Sequence, residues 1–170
     1  GPAERPFGMS WATGGILFGE GPAGIMRVAA SGGTPEVLVK VGNGEVADSP
    51  QLLPDGQTVL FTLAVGSNVD RWDRAKVVAR SLRSGEQKTL IEGGSDGRYL
   101  PTGHVVYALR GTLFAVPFDA ERVEVRGSAV PIVTGVSRAD TPGQQTGIAH
   151  FSVSSNGSLI KHCKYTAPMA

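Results

Sequence analysis

The chain has 170 residues, 41% of them hydrophobic, which is enough for one domain with a real core and too apolar for a disordered segment. Sixteen basic residues against fifteen acidic ones leave a net charge of +1, so nothing in the charge balance calls for nucleic acid or acidic lipid as a partner. The single cysteine, Cys163, excludes an intrachain disulfide, and no apolar run approaches the roughly 18 residues of a spanning helix, so membrane insertion is not expected.

The 24 glycines and 11 prolines are spread between short apolar runs, the punctuation of an all-β chain with many tight turns. Gly1-Pro2 reads as a protease-cleavage scar. After the turn at Gly14, strands are predicted over 16–18 and 24–29, then the turn Ser31-Gly32-Gly33 and a strand over 35–41 in which Val37, Val39 and Val41 alternate. Residues 49–53 form the fourth strand and run into Pro54-Asp55-Gly56. The second repeat places 59–65 against 76–82, turns at Ser84-Gly85-Glu86 into 89–91, and ends with 98–100 before Pro101-Thr102-Gly103. In the third, 105–109 turns at Arg110-Gly111 into 112–118, followed by 129–133 and by 148–153, which ends at Asn156-Gly157. No window shows a helical stripe. The longest irregular stretches are 66–74 and 137–147.

In each of these segments a turn glycine is followed at once by an apolar strand. The glycines are Gly14, Gly56, Gly103 and Gly157, spaced 42, 47 and 54 residues apart. A strand-rich recurrence of about 40–50 residues is the signature of a β-propeller blade. The predicted fold is therefore all-β: three four-stranded antiparallel blades, in repeats of about 14–55, 56–102 and 103–156, plus a partial fourth and an irregular tail over 161–170. A propeller usually closes with four to eight blades. This ring is incomplete, so the chain is expected either to be part of a longer propeller or to close the ring with a second copy through its open blade edges.

The run Ser49-Pro50-Gln51-Leu52-Leu53-Pro54-Asp55-Gly56, continuing to Phe61, resembles the S-P-x-x-x-P-D-G-x-x-x-x-F signature of TolB-like, WD-type propeller repeats of bacteria. The hairpin from Arg27 through Gly32-Gly33 to Pro35 is similar to the same repeat. Residues 103–118 and His150-Phe151-Ser152-Val153-Ser154 are similar to the propeller that trails some bacterial serine/threonine protein kinases. The resemblance implies a sensor-like module that binds ligands or proteins, in an extracytoplasmic bacterial setting, and it carries no catalytic residues. The turn Asp is kept only at Asp55, with Thr13, Thr102 and Asn156 in its place elsewhere. Pro fixes φ, Asp bonds its own turn and Gly takes positive φ, so the motif is structural.

Chemistry-bearing motifs are few. Gly93-Gly94-Ser95-Asp96-Gly97 matches the G-x-S-x-G elbow of esterases, making Ser95 the candidate nucleophile. That elbow needs a helix after it, and 98–103 reads as another strand and turn. The segment is therefore predicted to be a loop between blades. Ser158-Leu159-Ile160-Lys161 matches S-x-x-K but falls in a strand. His104, His150 and His162 form no metal-ligand spacing, so no metal and no cofactor are expected. In the loop 66–74, Asp70, Arg71 and Trp72, with Asp73 and Arg74, form a charged hairpin tip and a candidate contact site, since Trp and Arg are favoured anchors. Trp11 is expected in the core. Arg98 and Tyr99 lie in the strand nearest the channel, where their ends can face a ligand. The predicted function is a non-enzymatic binding module within a larger bacterial protein. An esterase or lactonase using Ser95, and a structural fragment that self-assembles, are the alternatives.

Overall fold

Gly14, Gly56, Gly103 and Gly157 all take positive φ, from +66° to +89°, where a β-carbon is costly. Each closes a tight turn between antiparallel strands in the computed structural model, which describes residues 6–141, 144–154 and 156–161. The first sheet orders β1 (Phe7–Ala12), β2 (Gly15–Gly19), β3 (Ile25–Ala29) and β4 (Glu36–Val39). The second orders β5 (Glu45–Leu52), β6 (Thr58–Val65), β7 (Lys76–Ser81) and β8 (Gln87–Glu92). The third places β9 (Ser95–Leu100), β10 (His104–Leu109) and β11 (Thr112–Asp119) side by side, with β12 (Glu124–Val125) and β13 (Val130–Thr134) both on β11. Two hairpins complete the described chain: β14 (Arg138–Thr141) with β15 (Gln144–Ala149), and β16 (Phe151–Val153) with β17 (Leu159–Lys161). All pairings are antiparallel.

The predicted blades are present, but each sheet begins one strand before its turn glycine. Of residues 49–53, all but Leu53 belong to β5, which pairs with β6, and not with the strand that precedes it in the repeat. Residues 98–100 and 151–153 likewise open the next sheet. Four local expectations are corrected. Residues 7–12 form a strand where none was predicted. Ser95–Gly97 are the start of β9 and not a loop. Much of 137–147 is the β14–β15 hairpin. The run 148–153 is interrupted at His150, which lies in a bend between β15 and β16. The loop 66–74 stays irregular apart from the 3₁₀ turn Val69–Trp72.

The sheets stack face to face, and their middle strands are buried on both faces. Along β6, Val59, Phe61 and Leu63 pack toward the first sheet with Leu17, Ile25 and Val39. The intervening Leu60 packs toward the third with Val105, Tyr107 and Val116. Strand β10 repeats this: Val105 and Tyr107 face the second sheet, while Val106 and Ala108 face Ala149 and Phe151 of the fourth unit. Two-sided burial is why β6 reads as a continuous apolar run and not an alternating one. The outer strands β4, β8 and β13 are largely solvated; β8 is mainly polar, while β4 and β13 leave Val37, Val130 and Ile132 exposed.

Asp55 caps its turn as expected. Its Oδ1 accepts N–H bonds from Gln57 and Thr58 at 2.9 Å each, and its Oδ2 accepts the Thr58 hydroxyl at 2.6 Å. Partial burial pushes the carboxyl upward, but these bonds outweigh it and hold Asp55 below the usual carboxylate range. The two tryptophans exchange their expected places. Trp11 is 71% exposed, and Trp72, expected at a solvated tip, is fully buried. Acrylamide quenching should therefore resolve two emitting populations. Trp11→Phe should leave only a shielded, blue-shifted one, and Trp72→Phe only a quenchable one. Equal accessibility in both variants would contradict the fold.

Candidate functional site

The inner strands β1, β5, β9 and β15 converge on one another. Three of them carry a kink at a matching place. The register of β1 breaks beside Gly8, at φ +68°. That of β5 breaks between Asp48 and Gln51, where Ser49 sits at φ +49°, and the β9–β10 ladder breaks around Asp96, at φ +52°. Non-glycine residues at positive φ are costly and persist only where their surroundings over-determine them. At Gly8 the reason for glycine is contact: an added β-carbon would lie 2.7 Å from the Ser49 Cα. The bulges thus abut and turn polar groups toward the axis.

Two buried carboxylates result. Asp48 accepts the Ser49 hydroxyl at 2.7 Å on Oδ1 and the Gly147 N–H at 2.7 Å on Oδ2. Asp96 accepts the Ala149 N–H at 2.8 Å on Oδ2, and Arg98 grips it with Nε at 2.9 Å and Nη2 at 2.8 Å. Arg98 also donates from Nη1 to the Phe151 carbonyl at 3.0 Å and lies 4.2 Å from the Phe151 ring centroid. Gln51 bridges the second and third sheets, its amide donating to the Tyr99 carbonyl at 3.0 Å and accepting the Tyr99 N–H at 2.8 Å. Burial pushes Asp48 up to about 6. The neighbouring Asp96 charge adds to this, while the Ser49 and Gly147 bonds oppose it.

Between these strands lies a cavity of about 260 Å³, walled by Met9, Ser10, Gln51, Arg98, Tyr99 and Val153 among others. The Ser10 hydroxyl is buried and has no partner among the described residues. Three Arg98 donor bonds are used, and a guanidinium has donors to spare. The site is thus a polar recess with unspent hydrogen-bonding capacity and no net charge in its Asp96–Arg98 pair.

Of the residues singled out from sequence, Arg98 and Tyr99 line this cavity. Asp70 and Arg71 do not. Asp70 is exposed and paired with Arg74 at 2.7 Å, and the Arg71 guanidinium lies 5.0 Å from the Trp72 ring. Trp72 presents no surface for a partner: it is the floor beneath Gly147, where an added β-carbon would meet its ring at 2.7 Å. Ser95 is fully buried within β9, with no partner for its hydroxyl among the described residues and no helix after it. His162 and Cys163 lie outside the described residues. Asp48, Asp96, Gln51 and Ser10 were missed. A positional signal existed: Ser49 and Asp96 each stand seven residues before the turn glycine.

No family model matches the chain, and no curated protein matches it. Among solved structures it is similar to the calcium-binding protein regucalcin from Agrobacterium tumefaciens, with a TM-score of 0.58 and 13% identity, over 91% of this chain and 50% of that one. It is also similar to an oligogalacturonate lyase in complex with manganese, with a TM-score of 0.52 and 10% identity, over 82% of this chain and 39% of that one. The chain thus spans half or less of the length of these structures. At such identity the likeness carries the fold alone, and the fold is a β-propeller whose ring is not closed. No group of three or more His, Cys, Asp or Glu among the described residues is placed to hold a metal ion. Asp48 and Asp96 spend their oxygens on amides, Ser49 and Arg98, so they do not fit an open ligand set.

The raised Asp48 makes stability depend on pH. Its carboxyl is protonated more readily in the folded chain than in the unfolded one, whose reference value is 3.8. Stability from this group is full below that value and falls as pH rises from about 4 through about 6, by up to about 3 kcal/mol. Asp55 and Asp119 are lowered, so their contributions fade only below pH 4. Urea unfolding between pH 4.5 and 7 should show this slope in the native chain. It should be largely lost in Asp48→Asn, which keeps an acceptor for Gly147 and a donor for Ser49. An unchanged slope in the variant would remove Asp48 as its source.

Proposed function

We propose that this chain is a non-enzymatic binding module, the sensor-like part of a TolB-like bacterial propeller, with the axial cavity as its recognition site. The observation that supports it is the convergence of unspent donors, from Ser10 and Arg98, in a cavity whose ionic groups already neutralise one another. Such a recess suits a small uncharged ligand, or a protein segment, that presents hydrogen-bond acceptors. The esterase or lactonase reading gains no support from the placement of Ser95. Amide-resolved NMR with neutral polyols and small amides should give a saturable response centred on residues 10, 51, 98 and 99. Ser10→Val should weaken it about ten-fold, the scale of one lost hydrogen bond. Hydrolysis of an acyl ester or lactone that disappears in Ser95→Ala would overturn the non-enzymatic reading.

A second observation bears on partners. Met9 and Trp11, on one face of β1, are 67% and 71% exposed, and Met9 also walls the cavity. We propose that a second copy of the chain covers this face and closes the ring. Sedimentation should detect a dimer that Trp11→Ser dissociates while leaving the protomer folded. A monomer at every concentration would refute the pairing.

A further inference from the structure

A separate recess of about 230 Å³ lies where the second, third and fourth sheets meet. Its walls include Asp73 just after the 3₁₀ turn, the Arg110-Gly111 turn between β10 and β11, and Ser137-Arg138 at the entry to β14. It does not depend on the axial cavity, and none of these side chains lines that cavity. One carboxylate oxygen organises it. Asp73 Oδ1 accepts Arg138 Nη2 at 2.6 Å and the Arg110 backbone N–H at 3.4 Å. The recess is therefore walled by two arginines against one carboxylate, a surplus of one positive charge. Asp70, the other acid of that loop, is committed to Arg74.

Two features here are unfavourable for folding. The Arg138 Nε is buried and has no acceptor among the described residues, and a buried donor left unpaired costs stability. Arg110 sits at φ +47°, followed by Gly111 at φ +76°. Two successive positive φ values define the hairpin turn that Gly, Asn and Asp normally fill. A residue that fits the turn badly, and an orphan donor, both belong to one recess with excess positive charge. Strain and unpaired groups gathered in this way point to a ligand.

We infer that this recess binds a small oxyanion, a phosphate or carboxylate group, between the Arg110 guanidinium and the Arg138 Nε–H, with the Ser137 hydroxyl beside them. A planar guanidinium matches two oxygens of such a group. The volume leaves room for a short carbon skeleton attached to it. Inorganic phosphate and succinate, titrated separately at constant ionic strength against chloride, serve as probes. Each is monitored by thermal unfolding and by the Arg Nε–H resonances. At least one should raise the unfolding temperature saturably and shift the Arg138 Nε–H, and the tighter of the two identifies the oxyanion class. Arg110→Gly should unfold at no lower temperature than the native chain, because glycine accepts the turn, yet bind the anion at least ten-fold more weakly. No saturable response to either anion, a response equalled by chloride, or undiminished binding in Arg110→Gly would overturn the inference.

Discussion

The fourth unit is held to the rest by two carboxylates gripping alternate amides of one strand. Asp48 takes the N–H of Gly147 and Asp96 that of Ala149. Successive residues of a strand point their backbone groups in opposite directions, so residues 147 and 149 present their amides to the same side. A buried carboxylate is tolerable only when its lone pairs are met. Asp96 meets this condition with a guanidinium and an amide, Asp48 with one hydroxyl and one amide. Burial pushes Asp48 upward in spite of its bonds. The same grip positions the end of β15 and the start of β16: Ala149 and Phe151 reach the third core, and the Phe151 ring meets Arg98.

The grip in turn requires the inner-strand kinks. A straight β5 or β9 sends alternate side chains to the two sheet faces, where the neighbouring cores lie. Positive φ at Ser49 and Asp96 breaks that alternation and frees the carboxylates for the axis. Gly147 meets the closeness in another way: with Trp72 on one side and the Asp48 carboxylate on the other, a β-carbon has no room. What the blades share is therefore a backbone device six or seven residues before the turn glycine, with Gly8, Ser49 and Asp96 as its unlike occupants.

Local chemistry was legible in the sequence, and tertiary chemistry was not. The Pro-Asp-Gly turn and the Arg110-Gly111 hairpin rest on neighbours within a few residues, and the β6–β7 pairing on two apolar runs either side of one loop, and all were readable. β1 escaped notice because the Gly8 bulge puts Phe7 in the core while Met9 and Trp11 remain exposed, so its apolar alternation serves two surfaces. Gly93–Gly97 read as a loop because glycines suggest turns. Gly97 is there for contact instead, since a β-carbon would come within 2.5 Å of Val77. Trp72 looked solvated because its sequence neighbours are charged, yet those charges form an outer layer over a buried ring. Asp48 and Asp96 find their amide partners 99 and 53 residues away, a relation no local pattern encodes.

The two recesses differ in how their charges are spent, and this decides what each can hold. At the axis the Asp96–Arg98 pair of the cavity wall cancels, and Asp48, buried behind that wall, gains a negative charge as pH rises through about 6. An oxyanion placed there faces growing repulsion in a poorly screened interior. At the outer recess Asp73 offsets only one of two arginines, which leaves a positive surplus. On the two proposals made above, neutral, acceptor-rich groups suit the axis and anions the outer recess. A single scaffold separates them by giving its carboxylates to backbone amides in one place and leaving its arginines in excess in the other.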